Sequence, residues 1–157
     1  MMELTPNKLL VMVDKKYGII DLQDNIIVPI KYKSFQKISQ DLFIVKLNGY
    51  YGIIDTSNNT LIKCKYDTIK PLYDTYILKK EGKYSLCNLK GEIIFDYEFD
   101  KIKKLGEYIL IKKDNKYQIL DSKGNLITDK KYKKIKLKRN TLIGYINNKK
   151  EIIEENL

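Results

Sequence analysis

The sequence contains no histidine and no tryptophan, and among its 157 residues it has two cysteines, three prolines and one arginine, Arg139. Without histidine the chain lacks the side chain that most often acts as a general base near neutral pH, and the commonest metal ligand. Cys64 and Cys87 are too few for a disulfide framework, and with no histidine they can form neither a zinc site nor a Cys–His nucleophile. The eight glycines form no phosphate-binding loop. Long apolar runs are also missing. Leu9 to Val13 is five residues, too short for a signal-peptide core, and no stretch approaches the length of a membrane helix. These absences point to a cytoplasmic, non-catalytic protein with no cofactor, no metal and no membrane partner.

What is present is lysine and a period. Lys+Arg of 30 against Asp+Glu of 20 gives a formal charge of +10, nearly all of it from lysine. The run Lys16-Tyr17-Gly18-Ile19-Ile20-Asp21 returns almost unchanged as Tyr51-Gly52-Ile53-Ile54-Asp55. Tyr84-Ser85-Leu86-Cys87-Asn88 and Tyr117-Gln118-Ile119-Leu120-Asp121 are degraded copies, and Lys150-Glu151-Ile152-Ile153-Glu154 is a fainter fifth. The tyrosines stand 34, 33 and 33 residues apart, and Lys150 keeps the step of 33. A fixed period of this length marks a repeat architecture. It predicts one repeat domain over residues 1–157, with repeats at about 17–50, 51–83, 84–116 and 117–149 and partial end units at 8–16 and 150–157.

Each repeat holds four short apolar segments, A to D. Segment A is the tyrosine run, and it ends in a turn such as Gln23-Asp24-Asn25 or Lys123-Gly124-Asn125. Segment B (Ile26-Ile27-Val28, Leu61-Ile62, Ile93-Ile94-Phe95, Leu126-Ile127) closes on an aromatic in step: Tyr32, Tyr66, Phe99 and Tyr132. Segment C carries Phe35, Ile69, Ile102 and Ile135 among polar residues. Segment D, such as Phe43-Ile44-Val45, reaches the next A through hairpin pairs such as Asn48-Gly49. Leu9 to Met12 is an extra D ahead of the first tyrosine. Segments of this length, rich in Ile, Tyr, Val and Phe, suit strands and are too short for helices. The chain therefore reads as all-β with eighteen candidate strands: three four-stranded C-D-A-B sheets, with a three-stranded D-A-B before them and a three-stranded C-D-A after. Repeats of this kind bury their apolar faces by stacking on neighbours. Radial stacking gives a β-propeller of about five blades; the alternative is an open β-hairpin solenoid.

The unit Lys-Tyr-Gly-Ile-Ile-Asp, a Gly or Asn turn, then Ile-Ile-Val-Pro-Ile-Lys-Tyr resembles the WG repeat of bacterial proteins. That pattern runs roughly Trp-Gly-Phe-Ile-Asp, a glycine turn, then apolar-apolar-x-Pro-x-x-Tyr-Asp. Residues 16–32 and 51–67 match it best, and the resemblance extends over residues 9–154. Tyrosine replaces every tryptophan, only Gly18 and Gly52 keep the glycine, and Pro29 alone keeps the proline. The resemblance implies a binding or scaffolding repeat without an active site.

Three sets of repeated side chains are candidates for function. Asp21, Asp55, Asn88 and Asp121 could ring a cation, or could cap the turn that ends segment A, which an asparagine does equally well. The repeated aromatics could stack on bases, or could pack between repeats. The charge distribution is the third. Residues 1–100 hold 14 Lys against 13 acids, whereas residues 101–150 hold 15 Lys and Arg139 against 4 acids, a net of +12. Its densest part is Lys130, Lys131, Lys133, Lys134, Lys136, Lys138 and Arg139. On a strand Lys134, Lys136 and Lys138 share one face, backed by Ile135 and Leu137 on the other. Lysine charges attract phosphate without reading sequence, and a near absence of arginine removes bidentate readout of guanine. The expectation is a monomeric interaction protein whose basic C-terminal sector docks on an acidic protein or nucleoprotein. A steric inhibitor, for instance an anti-CRISPR acting on an RNA-guided nuclease, is one version. The alternatives are a structural scaffold that assembles with other proteins and a non-specific RNA or DNA binder.

Overall fold

The computed structural model describes residues 2–155. Those residues form eighteen β-strands and no helix, arranged as five antiparallel sheets taken up in chain order. The first sheet is β1 (Met2–Thr5), β2 (Lys8–Val13), β3 (Lys16–Asp21) and β4 (Ile26–Tyr32). The second is β5 (Ser34–Lys37), β6 (Leu42–Leu47), β7 (Tyr50–Asp55) and β8 (Thr60–Tyr66). The third is β9 (Thr68–Leu72), β10 (Thr75–Lys80), β11 (Lys83–Asn88) and β12 (Ile93–Phe99). The fourth has three strands, β13 (Lys101–Leu105), β14 (Tyr108–Lys113) and β15 (Lys116–Leu120). So does the fifth, with β16 (Lys134–Lys138), β17 (Thr141–Ile146) and β18 (Lys149–Glu155).

The strand count agrees with the sequence, but two strands have changed places. β1 was not expected: it is four residues long, and its Met2-Glu3-Leu4-Thr5 alternation is too short to stand out from the sequence, although Leu4 is buried. It turns the first sheet from three strands into four. Leu126-Ile127, expected as the fourth segment B, is not a strand. The stretch from Leu126 to Tyr132 meets β15 at two isolated bridges, Tyr117 with Tyr132 and Leu120 with Leu126, and through the Gln118 side-chain amide, which donates to the Asp129 carbonyl at 3.4 Å; the fourth sheet has three strands instead of four.

Two differences accompany the loss: Thr128 stands where the other copies of segment B have the apolar Val28, Ile62 and Phe95, and the second position of segment A changes. A Cβ on Gly18 would stand 2.6 Å from the Val28 carbonyl oxygen, and one on Gly52 would stand 2.5 Å from that of Ile62. In the first two sheets strand B therefore lies against A where A has no side chain. Ser85 is tolerated because its hydroxyl accepts the Tyr97 N–H at 2.7 Å while Tyr97 takes a φ of 45°. Gln118 is longer and donates its side-chain amide to the Asp129 carbonyl of the opposing segment instead. The segment opposite it stays pinned at its ends but leaves the ladder between them.

Turn chemistry repeats as closely as the strands. The D-to-A hairpins turn on Asp14-Lys15, Asn48-Gly49, Glu81-Gly82, Asp114-Asn115 and Asn147-Asn148, with both residues of each pair at positive φ. That backbone matches the twist of the flanking strands. The A-to-B turns of the first four repeats share one plan: Asp24, Asn58, Gly91 and Gly124 are at positive φ, and their N–H groups donate to the carbonyls of Asp21, Asp55, Asn88 and Asp121.

By compactness the chain divides into two units, Met1–Ile69 and Lys70–Leu157, and the division falls inside β9. The first unit has a core built on Ile19, Val28, Tyr32, Phe43 and Ile54. The second unit has two clusters. One, around Leu86, Phe99, Ile102 and Ile109, joins the third and fourth sheets. The other, around Tyr108, Ile119, Tyr132, Ile135 and Leu142, joins the fourth and fifth. Ile19, Ile53, Leu86 and Ile119 occupy one repeat position and are all fully buried, whereas Ile152, their equivalent in β18, is 59% exposed.

Candidate interaction site: a lysine ridge on the fifth sheet

The repeated acids close turns. Asp55 Oδ1 accepts the Ser57 and Asn59 N–H groups, both at 2.8 Å, and its Oδ2 accepts the Asn59 side-chain amide at 2.7 Å. Asp21 and Asp121 repeat the pattern with Asn25 and Asn125. The Asn25 amide is the main reason that the Asp21 carboxyl titrates below its usual range. Partial burial opposes the same shift at Asp55 and Asp121, but the Asn59 and Asn125 donors outweigh it. In the third repeat the roles are exchanged: Asn88 Oδ1 accepts the backbone N–H groups, while its amide donates to Glu92 at 2.7 Å. A position filled by either residue serves turn geometry, not cation charge.

All but the first of the repeated aromatics are likewise engaged; Tyr17 faces Met12 across the hairpin. Tyr32, Tyr66, Phe99 and Tyr132 are buried, none more than 5% exposed. Tyr51, Tyr84 and Tyr117 are half-buried, and the lysine opposite each on the neighbouring strand covers its ring: Lys46 at 4.9 Å, Lys79 at 5.5 Å and Lys112 at 5.7 Å. Cation–π contact with a lysine stem occupies the face a base would need. Cys87 is an apolar filler of the core, its thiol pushed up to about 12 by burial.

The basic residues separate into three groups. Lys130 is neutralised: its ammonium lies 3.0 and 3.1 Å from the two carboxylate oxygens of Glu151. Glu151 also accepts the Tyr132 hydroxyl at 2.6 Å, and that bond, with Lys130 second, holds the Glu151 carboxyl below its usual range. Lys131 goes elsewhere. With Lys113, Lys116 and Gln118 it lines a cavity of about 240 Å³ floored by Phe99 and Ile111, next to the segment that Gln118 displaces.

The third group is the ridge. β16 alternates as its sequence demands: Lys134, Lys136 and Lys138 are exposed, Ile135 is buried and Leu137 is half-buried. Ile135 and Leu137 pack into the cluster shared with the fourth sheet, which fixes the opposite face outward. β16 is an edge strand, paired only with β17. Lys133 precedes it and donates its backbone N–H to the Tyr145 carbonyl. Arg139 follows it in the turn, at a φ of 45°. Among the described residues no carboxylate pairs with Lys134, Lys136 or Lys138.

Lys101, Lys103 and Lys104 on β13 were not singled out from the sequence. Lys101 and Lys103 stand one period of 33 before Lys134 and Lys136, and all three are exposed. The repeat register held that signal, whereas reading for the densest run missed it.

A family model described as a WG containing repeat matches residues 17–51, 51–84 and 84–117, more than half of the chain. The chain belongs to the WG-containing repeat family. The match covers the three better-preserved copies and stops where Gln118 replaces the glycine. No curated protein matches this WG-repeat chain. Among solved structures it is similar to Hsv2 of Kluyveromyces lactis, at 11% identity over 88% of this chain and 55% of that one, with a TM-score of 0.41. Hsv2 of Kluyveromyces marxianus is 10% identical over 96% of this chain and 58% of that one, with a TM-score of 0.46. PorZ of Porphyromonas gingivalis is 10% identical over 92% of this chain and 24% of its own, with a TM-score of 0.35. The WG-repeat chain thus spans little more than half the length of the Hsv2 chains.

Proposed function

We propose that this WG-repeat protein is a non-catalytic, cytoplasmic interaction scaffold whose fifth sheet docks on an anionic partner, either an acidic protein or a nucleoprotein. The observation that carries the reading is the β16 ridge: three exposed lysines on one face, none paired with an acid among the described residues, backed by Ile135 and Leu137 beneath. Such a ridge meets an anionic surface without reorganisation, and its attraction is long-ranged at low salt. The non-catalytic part rests on the absence of histidine from the sequence. Inhibition of an RNA-guided nuclease, the narrower version, draws support from no feature described above. Five consecutive antiparallel sheets joined by short connections support an arrangement as the blades of a small propeller.

Retention on immobilised heparin, used as a generic polyanion, tests the docking reading. The wild-type protein should elute at clearly higher salt than the Lys134→Glu/Lys136→Glu/Lys138→Glu variant, with the two sharing one far-UV circular dichroism spectrum. Elution of both at the same salt would remove the ridge as the docking surface.

A further inference from the structure

We propose that the cavity beside the segment from Leu126 to Tyr132 is a binding site for a small organic carboxylate, with the acid group on Lys116 and Lys131 and the apolar part on Phe99 and Ile111. The site is separate from the β16 ridge, and the proposal goes beyond the docking reading.

The fourth repeat fills one position differently from the first two. There Ile30 and Cys64 lie over the glycine of segment A: a Cβ on Gly18 would stand 2.8 Å from Ile30 Cγ1, and one on Gly52 would stand 2.7 Å from Cys64 Sγ. The corresponding residue of the fourth repeat is Lys130, whose ammonium goes instead to Glu151 on the fifth sheet. Lys131 lines the cavity in its place.

Charge separates the site from its counterpart one repeat earlier. In the third sheet Lys80 and Lys83 stand opposite each other on β10 and β11, and each has an acid, Glu81 for Lys80 and Asp100 for Lys83. In the fourth sheet Lys113 and Lys116 stand opposite each other in the same way. Lys113 has Glu98 at 3.0 Å, whereas among the described residues neither Lys116 nor Lys131 forms an ion pair. The residues one period after Glu98 and Asp100 are Lys131 and Lys133. Where the third repeat supplies a carboxylate to Lys83, the fourth therefore holds lysine. Like charges directly opposite across a sheet destabilise it, and a carboxylate from outside the chain would relieve them. Asp114 is the one acid of the lining, against Lys113, Lys116 and Lys131.

The wall decides what carries the carboxylate. Phe99 and Ile111 belong to the cluster between the third and fourth sheets and give the cavity an apolar side. An inorganic ion would leave that side wet, whereas a ring or branched chain covers it. At about 240 Å³ the cavity is smaller than the roughly 300–1,000 Å³ of pockets for drug-sized ligands, so the ligand is small.

Titration with phenylacetate at low salt, followed in the amide NMR spectrum of the protein, tests the site. Phenylacetate should shift the signals of Ile111, Lys116 and Gln118 along one saturation curve. Lys116→Gln/Lys131→Gln should weaken it roughly tenfold, as expected for the loss of two exposed charge contacts. Both side chains are exposed, so the variant keeps the fold, which circular dichroism checks. Benzyl alcohol, which has the ring without the charge, should bind at least as much more weakly. Shifts absent from these residues, or an affinity unchanged in the variant, would overturn the site. Inorganic phosphate reports charge alone: if it binds as tightly as phenylacetate, the apolar wall takes no part and the organic carboxylate is overturned. The heparin experiment on the β16 ridge is independent of each of these outcomes.

Discussion

Replacing Gly52 by alanine should weaken the first unit by about 2–3 kcal/mol. The added methyl carbon would lie 2.5 Å from the Ile62 carbonyl oxygen and 2.7 Å from both the Cys64 nitrogen and its sulfur. Two of these three atoms are backbone, so no rotamer change relieves the contact. β8 would have to retreat by about 0.5 Å even to reach the lower limit of real contacts, at the centre of the Ile53–Ile62 pairing and above the buried Ile62. Overpacking of this kind costs about 1–3 kcal/mol, and immovable neighbours place it in the upper part of that range. For a chain of this length each kcal/mol moves the melting temperature by roughly 2–4 °C, so the midpoint should fall by roughly 4–12 °C.

Thermal melts followed by far-UV circular dichroism, with urea titrations alongside, measure the effect. Gly49→Ala is the control. Gly49 has a φ of +90° and nothing within 4 Å of an added Cβ, so its variant carries only a backbone cost of about 1 kcal/mol. If Gly52→Ala cost no more than Gly49→Ala, close approach of the strands would not be what glycine provides in segment A.

Two further outcomes follow from the same geometry. Gln118→Gly should let residues 127–131 complete the ladder on β15, visible as slowed hydrogen exchange at Thr128 and Ile119; unchanged exchange would mean that another residue holds the segment away. Asp55→Asn should cost about 1 kcal/mol at pH 7, because the charged carboxylate that accepts from Ser57 and Asn59 becomes a neutral amide with a weaker acceptor. The folded Asp55 carboxyl lies below its unfolded value, so its contribution is present above about pH 4 and is lost as pH falls through the folded value. The difference between wild type and Asp55→Asn should therefore shrink towards zero at pH 3 in urea titrations, and an equal difference at both pH values would refute it.

The elements that local chemistry decides were legible before any coordinates. Asn48-Gly49 and Glu81-Gly82 name their own hairpins, and the alternation of β16 follows from its sequence. What escaped depends on contacts across the sheet. Leu126-Ile127 looks like Leu61-Ile62 until the copies are set in register on Tyr66 and Tyr132: it then stands at Thr60-Leu61, polar Thr128 replaces the apolar Val28, Ile62 and Phe95, and Gln118 faces it from the opposing strand. Lys130 reads as part of a basic run until Glu151, 21 residues on, is found to hold its ammonium. β1 is a strand because Leu4 reaches a core that later residues build. Side chains spaced along one strand can be read from sequence, whereas partners brought together by folding cannot.

The same period that sets the fold also separates a bland account of the lysines from a functional one. Lysine on an edge strand deters pairing with other chains, and β5, β9, β13 and β16 all begin their sheets as edges. If edge protection were the whole reason, the equivalent positions should be basic throughout. They are Ser34 and Gln36 on β5, Thr68 and Lys70 on β9, Lys101 and Lys103 on β13, and Lys134 and Lys136 on β16. β5 stands at its edge with neither position charged, so the architecture does not demand lysine there. Nor does packing, since the side chains at 101, 103, 134 and 136 all point to solvent. Neither the edge nor the core constrains these positions, and among the described residues none of the four lysines forms an ion pair, although the Lys136 ammonium lies 5.9 Å from the Tyr145 ring centre; an anionic partner, as proposed for the β16 ridge, would give them a role.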